Sequence, residues 1–213
     1  MKPVSVIDYG IGNLYSVQRA LEKIGADVKL ISDPNEVSQA ERLVLPGVGA
    51  FADCMNTLKR RDFIQPILEY VERDRPFLGL CVGMQMLMDE SEEFGTTKGL
   101  GVIHGRVRKI ADRDPSGAPC KIPHIGWNAI VPPQGGSWEG TVLELIKPGS
   151  FVYFVHSFAP NPESPENLMA TCNYSGNTVG AAIRKGKVFG TQFHPEKSSS
   201  VGLKILQKFV DLG

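Results

Sequence analysis

The run Phe77-Leu78-Gly79-Leu80 constrains the fold more than any other segment of this chain. It is almost wholly apolar, too short for a helix, and leads straight into a glycine-flanked turn. A strand of that kind is buried on both faces, and such strands belong to parallel sheets with helices above and below. The rest of the first third agrees. Val4 to Asp8 reads as a strand, followed by Leu14, Val17, Leu21 and Ile24 at helical spacing before Gly25. Val28 to Ile31 and Arg42 to Leu45 read as further strands, Phe63 to Glu72 as a helix, and a helix starting near Val82 completes another strand–helix unit. Parallel strands require crossovers, so the alternation predicts an α/β fold with a mainly parallel central sheet and helices on both faces. Ligands of such sheets bind beyond the carboxyl ends of the strands.

From Val107 onward the pattern changes to short strands punctuated by glycine and proline: Phe151 to His156, Leu168 to Asn173, Val179 to Lys185 and Val188 to Phe193. This predicts antiparallel strands in the C-terminal half. Val201, Ile205, Phe209 and Leu212 then form a helical stripe that packs the end of the chain on the sheet. Pro132 to Gly136 is a surface loop and not a domain linker, so residues 1–213 are expected to form a single domain. A chain of 213 residues can bury a full core. Its 23 basic and 23 acidic side chains cancel, leaving no bulk field for nucleic acid or an anionic membrane. No apolar stretch approaches the roughly 20 residues that cross a bilayer, and the expectation is a soluble, cytoplasmic protein. Cys54, Cys81, Cys120 and Cys172 form no CxxC pair, which leaves free thiols as the expectation.

The chemistry concentrates in two motifs. Gly79-Leu80-Cys81-Val82-Gly83 places a cysteine between second-neighbour glycines at a strand-to-helix turn, the pattern of a nucleophile elbow. Such a turn presents the sulfur at the sheet's carboxyl edge, aims the Val82 N–H at an incoming carbonyl, and lets the positive end of the following helix favour a thiolate. The competing reading is a small buried cysteine. His194-Pro195-Glu196 follows the apolar run ending at Phe193. In extended chain, residues two apart face one side, so Glu196 can orient one imidazole nitrogen of His194 while the other meets the cysteine. The competing reading is a polar turn after an edge strand. Pro46-Gly47-Val48-Gly49 follows the third strand and either donates a second N–H to an oxyanion hole or is a glycine-rich turn into the next helix. Asp8 to Asn13 fails as a dinucleotide fingerprint, because Tyr15 stands where the third glycine belongs. His104, His124, His156 and His194 lie far apart in sequence, so neither a metal nor another cofactor is expected.

Gly79-Leu80-Cys81-Val82-Gly83-Met84-Gln85 together with Gln192-Phe193-His194-Pro195-Glu196-Lys197-Ser198 resembles the class I, triad-type glutamine amidotransferases. Tyr9 to Asn13, Leu45 to Phe51, Pro123 to Asn128 and Tyr153 to Phe158 resemble one branch of that family, the glutaminase subunits of imidazole glycerol phosphate synthase in histidine biosynthesis. The resemblance spans essentially the whole chain. It implies a Cys81–His194–Glu196 triad that hydrolyses glutamine, with an oxyanion hole from the backbone of Val48 and Val82. It also implies that Gln85 and Glu93 recognise the polar end of glutamine, with the backbone of Gly49, Ser157 and Phe158 nearby. The partner it implies is a separate (β/α)8-barrel cyclase subunit, forming a heterodimer and receiving the ammonia, with Asn13, Trp127, Tyr153 and Lys197 facing it. Ordinary packing is the competing reading for those four.

Three rival functions remain at this point. Another class I amidotransferase would share the glutamine chemistry and differ in partner, against which the Pro123 to Asn128 segment argues. A non-catalytic docking subunit would not need Cys81, His194 and Glu196 together. A cysteine hydrolase of related architecture would not discriminate glutamine tightly, and asparagine or a small ester would separate it.

Overall fold

In a computed structural model, residues 2–212 are described. The first strand, β1 (Pro3–Ile7), leads to α1 (Leu14–Lys23), β2 (Asp27–Ile31), β3 (Leu43–Gly47), α2 (Phe51–Arg60), α3 (Ile64–Glu72), β4 (Phe77–Cys81) and α4 (Val82–Gln85). The chain continues through β5 (Met88–Ser91), β6 (Thr97–Lys98), β7 (Ile103–Lys109), β8 (His124–Val131), β9 (Ser150–His156) and β10 (Phe158–Pro162). It closes with β11 (Leu168–Tyr174), β12 (Asn177–Lys185), β13 (Val188–Thr191) and α5 (Ser199–Asp211).

Nine strands form the main sheet in the order β2-β1-β3-β4-β13-β12-β11-β8-β9. The pairings from β2 to β13 are parallel and those from β13 to β9 antiparallel, as the change of sequence pattern implies. A second sheet, β10-β7-β5-β6, lies apart from it. Side chains of the parallel strands alternate between two cores. Val4, Val6, Val44, Leu78 and Leu80 pack with α1 and α5, through residues such as Val17, Leu21, Ile205 and Phe209. Ile7, Leu43, Leu45 and Phe77 pack on the other side with α2 and α3, through Cys54, Leu58, Ile67 and Tyr70. That period of two, filled on both faces, is what makes β4 apolar throughout.

Helix α1 starts where Asn13 Oδ1 accepts from the Ser16 N–H at 3.4 Å. It stops where Gly25 takes φ +82° and Ala26 N–H reaches back to Leu21 O at 3.1 Å, a glycine C-terminal cap. The stripe on α5 buries Ile205 and Phe209, with Val201 and Leu212 packed at its margin. Residues 132–136 form a loop exposed over its second half.

Two expectations need correction. The helix beginning near Val82 is a single turn. The carbonyls of Met86 and Leu87 accept from the N–H groups of Leu100 and Ile103, and these tertiary bonds divert the chain into β5. For the same reason the strand-rich part begins at Met88, well before Val107. Among the described residues, no helix is long and apolar enough to cross a membrane.

Leu78 lies at the centre of this arrangement and is 0% exposed, whereas Leu30 on the outer strand β2 is 39% exposed. Leu78→Ala is therefore expected to cost about 2–5 kcal/mol in chemical denaturation and Leu30→Ala less than about 1 kcal/mol. Similar costs at the two positions would contradict the assignment of β4 to the doubly covered centre.

Candidate active site

Cys81 is the last residue of β4 and has φ +54°, ψ −113°, a conformation that L-residues rarely hold. Strain of this kind costs on the order of 1–3 kcal/mol and persists only where the surroundings impose it. They do so here by close approach of backbone. A Cβ on Gly79 would meet Gly83 O at 2.7 Å, and one on Gly47 would meet Gly83 N at 2.6 Å, while one on Gly83 would collide with Leu45 O. Because α4 is one turn, the helix-end field expected at the sulfur comes from a single turn of peptide N–H groups.

β13 lies beside β4 in parallel register, Thr191 opposite Leu80, so the chain leaving β13 passes the sulfur. β13 ends at Thr191, short of Phe193, where Thr191 Oγ1 donates to Phe193 O at 3.0 Å and folds the chain into the His-Pro-Glu turn. His194 Nδ1 meets Glu196 Oε1 at 2.8 Å, and the two side chains are 4% and 2% exposed. A carboxylate on Nδ1 places the Nδ1 proton there and leaves Nε2 for the sulfur side. Nε2 and Glu196 Oε2 have no hydrogen-bond partner among the described residues. Burial alone would depress the His194 pKa, but the Cys81 sulfur and the Glu196 carboxylate outweigh it and hold the imidazole above its ordinary value. The arrangement thus favours the protonated imidazole. The turn is tied to β9: Ser198 Oγ donates to His194 O at 2.6 Å and accepts from Tyr153 N–H, while His194 N–H donates to Tyr153 O at 3.0 Å.

A cleft of about 310 Å³ opens over Cys81 at the carboxyl edge of the sheet. Val48, Gly49, Val82, Gln85, Glu93, Ser157, Phe158, His194 and Lys197 all line it. Gln85 is almost fully buried and commits both amide hydrogens, one to Phe158 O at 3.0 Å and one to Gln192 Oε1 at 2.9 Å, which leaves its own Oε1 as an acceptor. Glu93 Oε2 accepts the Phe51 N–H at 2.7 Å at the start of α2, which anchors a carboxylate at the cleft wall. A cysteine sulfur, an imidazole and a carboxylate in one concave site suit acyl transfer through a thioester.

The family model described as "Glutamine amidotransferase class-I" matches residues 5–212. The imidazole glycerol phosphate synthase subunit HisH 1 of Legionella pneumophila (strain Lens) is 47% identical over all of both chains. The chain belongs to the class I glutamine amidotransferases. Subunit HisH of Syntrophotalea carbinolica is likewise 47% identical, over 98% of this chain and 100% of its own. Among solved structures, one titled as a glutamine amidotransferase superposes with TM-score 0.73 at 17% identity over 98% of this chain and 99% of that one. PurLQS from Thermotoga maritima gives 0.71 at 20% identity, covering 99% of both. These two likenesses establish the fold, a mixed α/β class I amidotransferase architecture.

Within this amidotransferase the four residues expected at a partner surface are dispersed. Trp127, half-exposed, and Tyr153, partly buried, are paired across β8 and β9 with ring centroids 6.1 Å apart. Lys197 lines the cleft, and Asn13 caps α1. Ile125, Phe151 and Val155 extend the Trp127–Tyr153 pair into an exposed apolar face. Sequence reasoning did not single out Gln192, whose Nε2 lies 3.7 Å from Cys81 Sγ. The available signal was its position two residues before His194 in extended chain. Nor did it bring together His124 and His156, which meet at 3.0 Å across the same strand pair.

The strain at Cys81 has a measurable consequence. Glycine accepts φ +54° and alanine does not, so Cys81→Gly is expected to be about 1 kcal/mol more stable than Cys81→Ala in denaturant titrations, despite glycine's larger unfolded-state entropy. An alanine variant as stable as the glycine variant, or more so, would mean that the elbow relaxes without cost.

Proposed function

We propose that this chain is the glutaminase subunit of an imidazole glycerol phosphate synthase. It hydrolyses glutamine and hands the ammonia to a (β/α)8-barrel cyclase subunit in a heterodimer, which forms imidazole glycerol phosphate and an aminoimidazole carboxamide ribotide in histidine biosynthesis. The observation that carries the reading is that Cys81 and His194 line one cleft while Glu196 bonds the Nδ1 side of His194, on a chain matched end to end by HisH subunits. The same reading makes residues 1–213 one amidotransferase domain working in the cytoplasm, which suits four free cysteines.

The Cys81 thiolate attacks the side-chain amide carbon of glutamine, and the carbonyl oxygen becomes an oxyanion facing the backbone N–H groups of Val48 and Val82. Each such donor is worth roughly 10²–10³ in turnover. His194, its tautomer fixed by Glu196, gives its Nε2 proton to the departing ammonia, leaving a γ-glutamyl thioester. Water then attacks the thioester while His194 takes its proton, and collapse releases glutamate and the thiolate. Glu93 and the free Oε1 of Gln85 accept hydrogen bonds from the substrate's ammonium end, beside the backbone of Gly49, Ser157 and Phe158. The apolar face around Trp127 and Tyr153, with Asn13 and Lys197, receives the cyclase.

Glutamate release is expected to be low for the isolated chain and to rise sharply with the cyclase subunit and its ribotide ligand; high activity alone would argue against coupling, and no activity in either arm against the reading itself. Cys81→Ala is expected to abolish glutamine hydrolysis while ammonia-dependent synthesis by the complex continues. Glu196→Gln should lower turnover by more than about tenfold yet less than the cysteine variant, because it orients the base and does not react.

A further inference from the structure

Cys81 Sγ has a neighbour that the reaction as written does not use. Gln192 is 0% exposed, and its Nε2 stands 3.7 Å from the sulfur. Which end of a buried amide faces a sulfur is decided by its other partners, and here they leave no freedom. Phe158 O is a carbonyl and can only accept, so Gln85 must present its NH₂ group to it, at 3.0 Å. The second hydrogen of that NH₂ points to Gln192, 2.9 Å away, which must therefore offer Oε1. The Gln192 NH₂ is then left for the sulfur. A second arm pins the same carbonyl. Ala129 N–H donates to Asn128 Oδ1 at 2.8 Å, so Asn128 turns Nδ2 toward His124 Nε2. His124 Nδ1 then donates to His156 Nε2 at 3.0 Å, and His156 Nδ1 donates to Phe158 O at 2.9 Å. Burial pushes both imidazoles down to about 4, so they stay neutral and keep these directions.

We propose that Gln192 is a further catalytic residue, donating an amide N–H to the Cys81 thiolate, and that Gln85 is its positioning residue, forcing N–H and not oxygen toward the sulfur. The inference rests on Cys81 being the nucleophile. An N–H donor favours the thiolate over the thiol and so raises the fraction ready to attack. Its location makes it selective for that sulfur: Cys120 lies half-exposed elsewhere.

Alkylation of Cys81 by iodoacetamide at neutral pH, followed by peptide mass spectrometry, reads the thiolate without glutamine or a partner. Gln192→Met keeps the volume and removes the donor, and is expected to slow alkylation of Cys81 about tenfold, the scale of one charge-assisted hydrogen bond. Cys120 should react at the wild-type rate. Gln85→Glu never touches the sulfur, but its carboxylate cannot donate to Gln192 Oε1; the Gln192 amide turns over, faces the sulfur with oxygen, and alkylation again slows. Unchanged Cys81 alkylation in a folded Gln192→Met overturns the donor role. Slowing in that variant alone overturns the positioning role of Gln85. Should Gln192→Met fail to fold, by thermal unfolding, Gln85→Glu decides the question. If the wild-type complex released no glutamate from glutamine, the functional reading would fail while the alkylation ratios still tested the donor.

Discussion

Everything at the active site depends on how closely the β4–α4 turn packs against β3. Gly79, Gly83 and Gly47 bring three stretches of backbone to distances at which no side chain fits. That contact holds Cys81 in its unfavourable backbone conformation. The strain is sustained because β4 is fully covered, buried at all five positions between two cores. A turn at the sheet margin would relax. Placing the strained residue on a central strand converts packing energy, roughly 25 cal/mol per Å² of apolar surface buried, into a fixed sulfur position.

The parallel pairing of β4 with β13 then explains why two motifs more than a hundred residues apart form one site. Parallel neighbours end on the same edge, so the residues just past Thr191 lie beside those just past Leu80. β13 is also where the sheet turns antiparallel, and the strands beyond it end in the β8–β9 hairpin. Through Ser198 and the Tyr153 backbone, β9 grips the His-Pro-Glu turn, while the Tyr153 side chain belongs to the exposed apolar face. A subunit seated on that face would press on the strand that holds His194.

The parallel half was legible because its signals are local. Strand alternation at β1, β3 and β4, the stripe on α1 and the glycine spacing around Cys81 each follow from residues within a few positions of one another. The single turn α4 was not legible, since Val82 to Met88 is good helical sequence and is ended by hydrogen bonds from Leu100 and Ile103. The small second sheet escaped for a related reason: β5 and β6 are four and two residues long, β5 gaining its identity from β7 and β6 from β5. The His124–His156 pair needed the β8–β9 register, with His124 opposite His156, which sequence spacing of thirty-two residues does not reveal. Gln192 stood in plain view, one residue past the end of β13. Its meaning lies in what Phe158 O and Gln85 compel it to do.

The site is costly to the fold in a second way. His194 Nε2 and Glu196 Oε2 are buried without partners among the described residues, and an unmet buried polar atom costs about 1–3 kcal/mol. With the strain at Cys81, the penalty becomes a large share of the 5–15 kcal/mol by which domains are usually stable. A sequence selected for stability alone would fill these valences or replace them with apolar groups. The chain instead keeps them open at the one edge where the sulfur, the imidazole and the cleft coincide. Of the two residues, His194 lines the cleft, where an incoming group can meet it, while Glu196 bonds it from outside that lining.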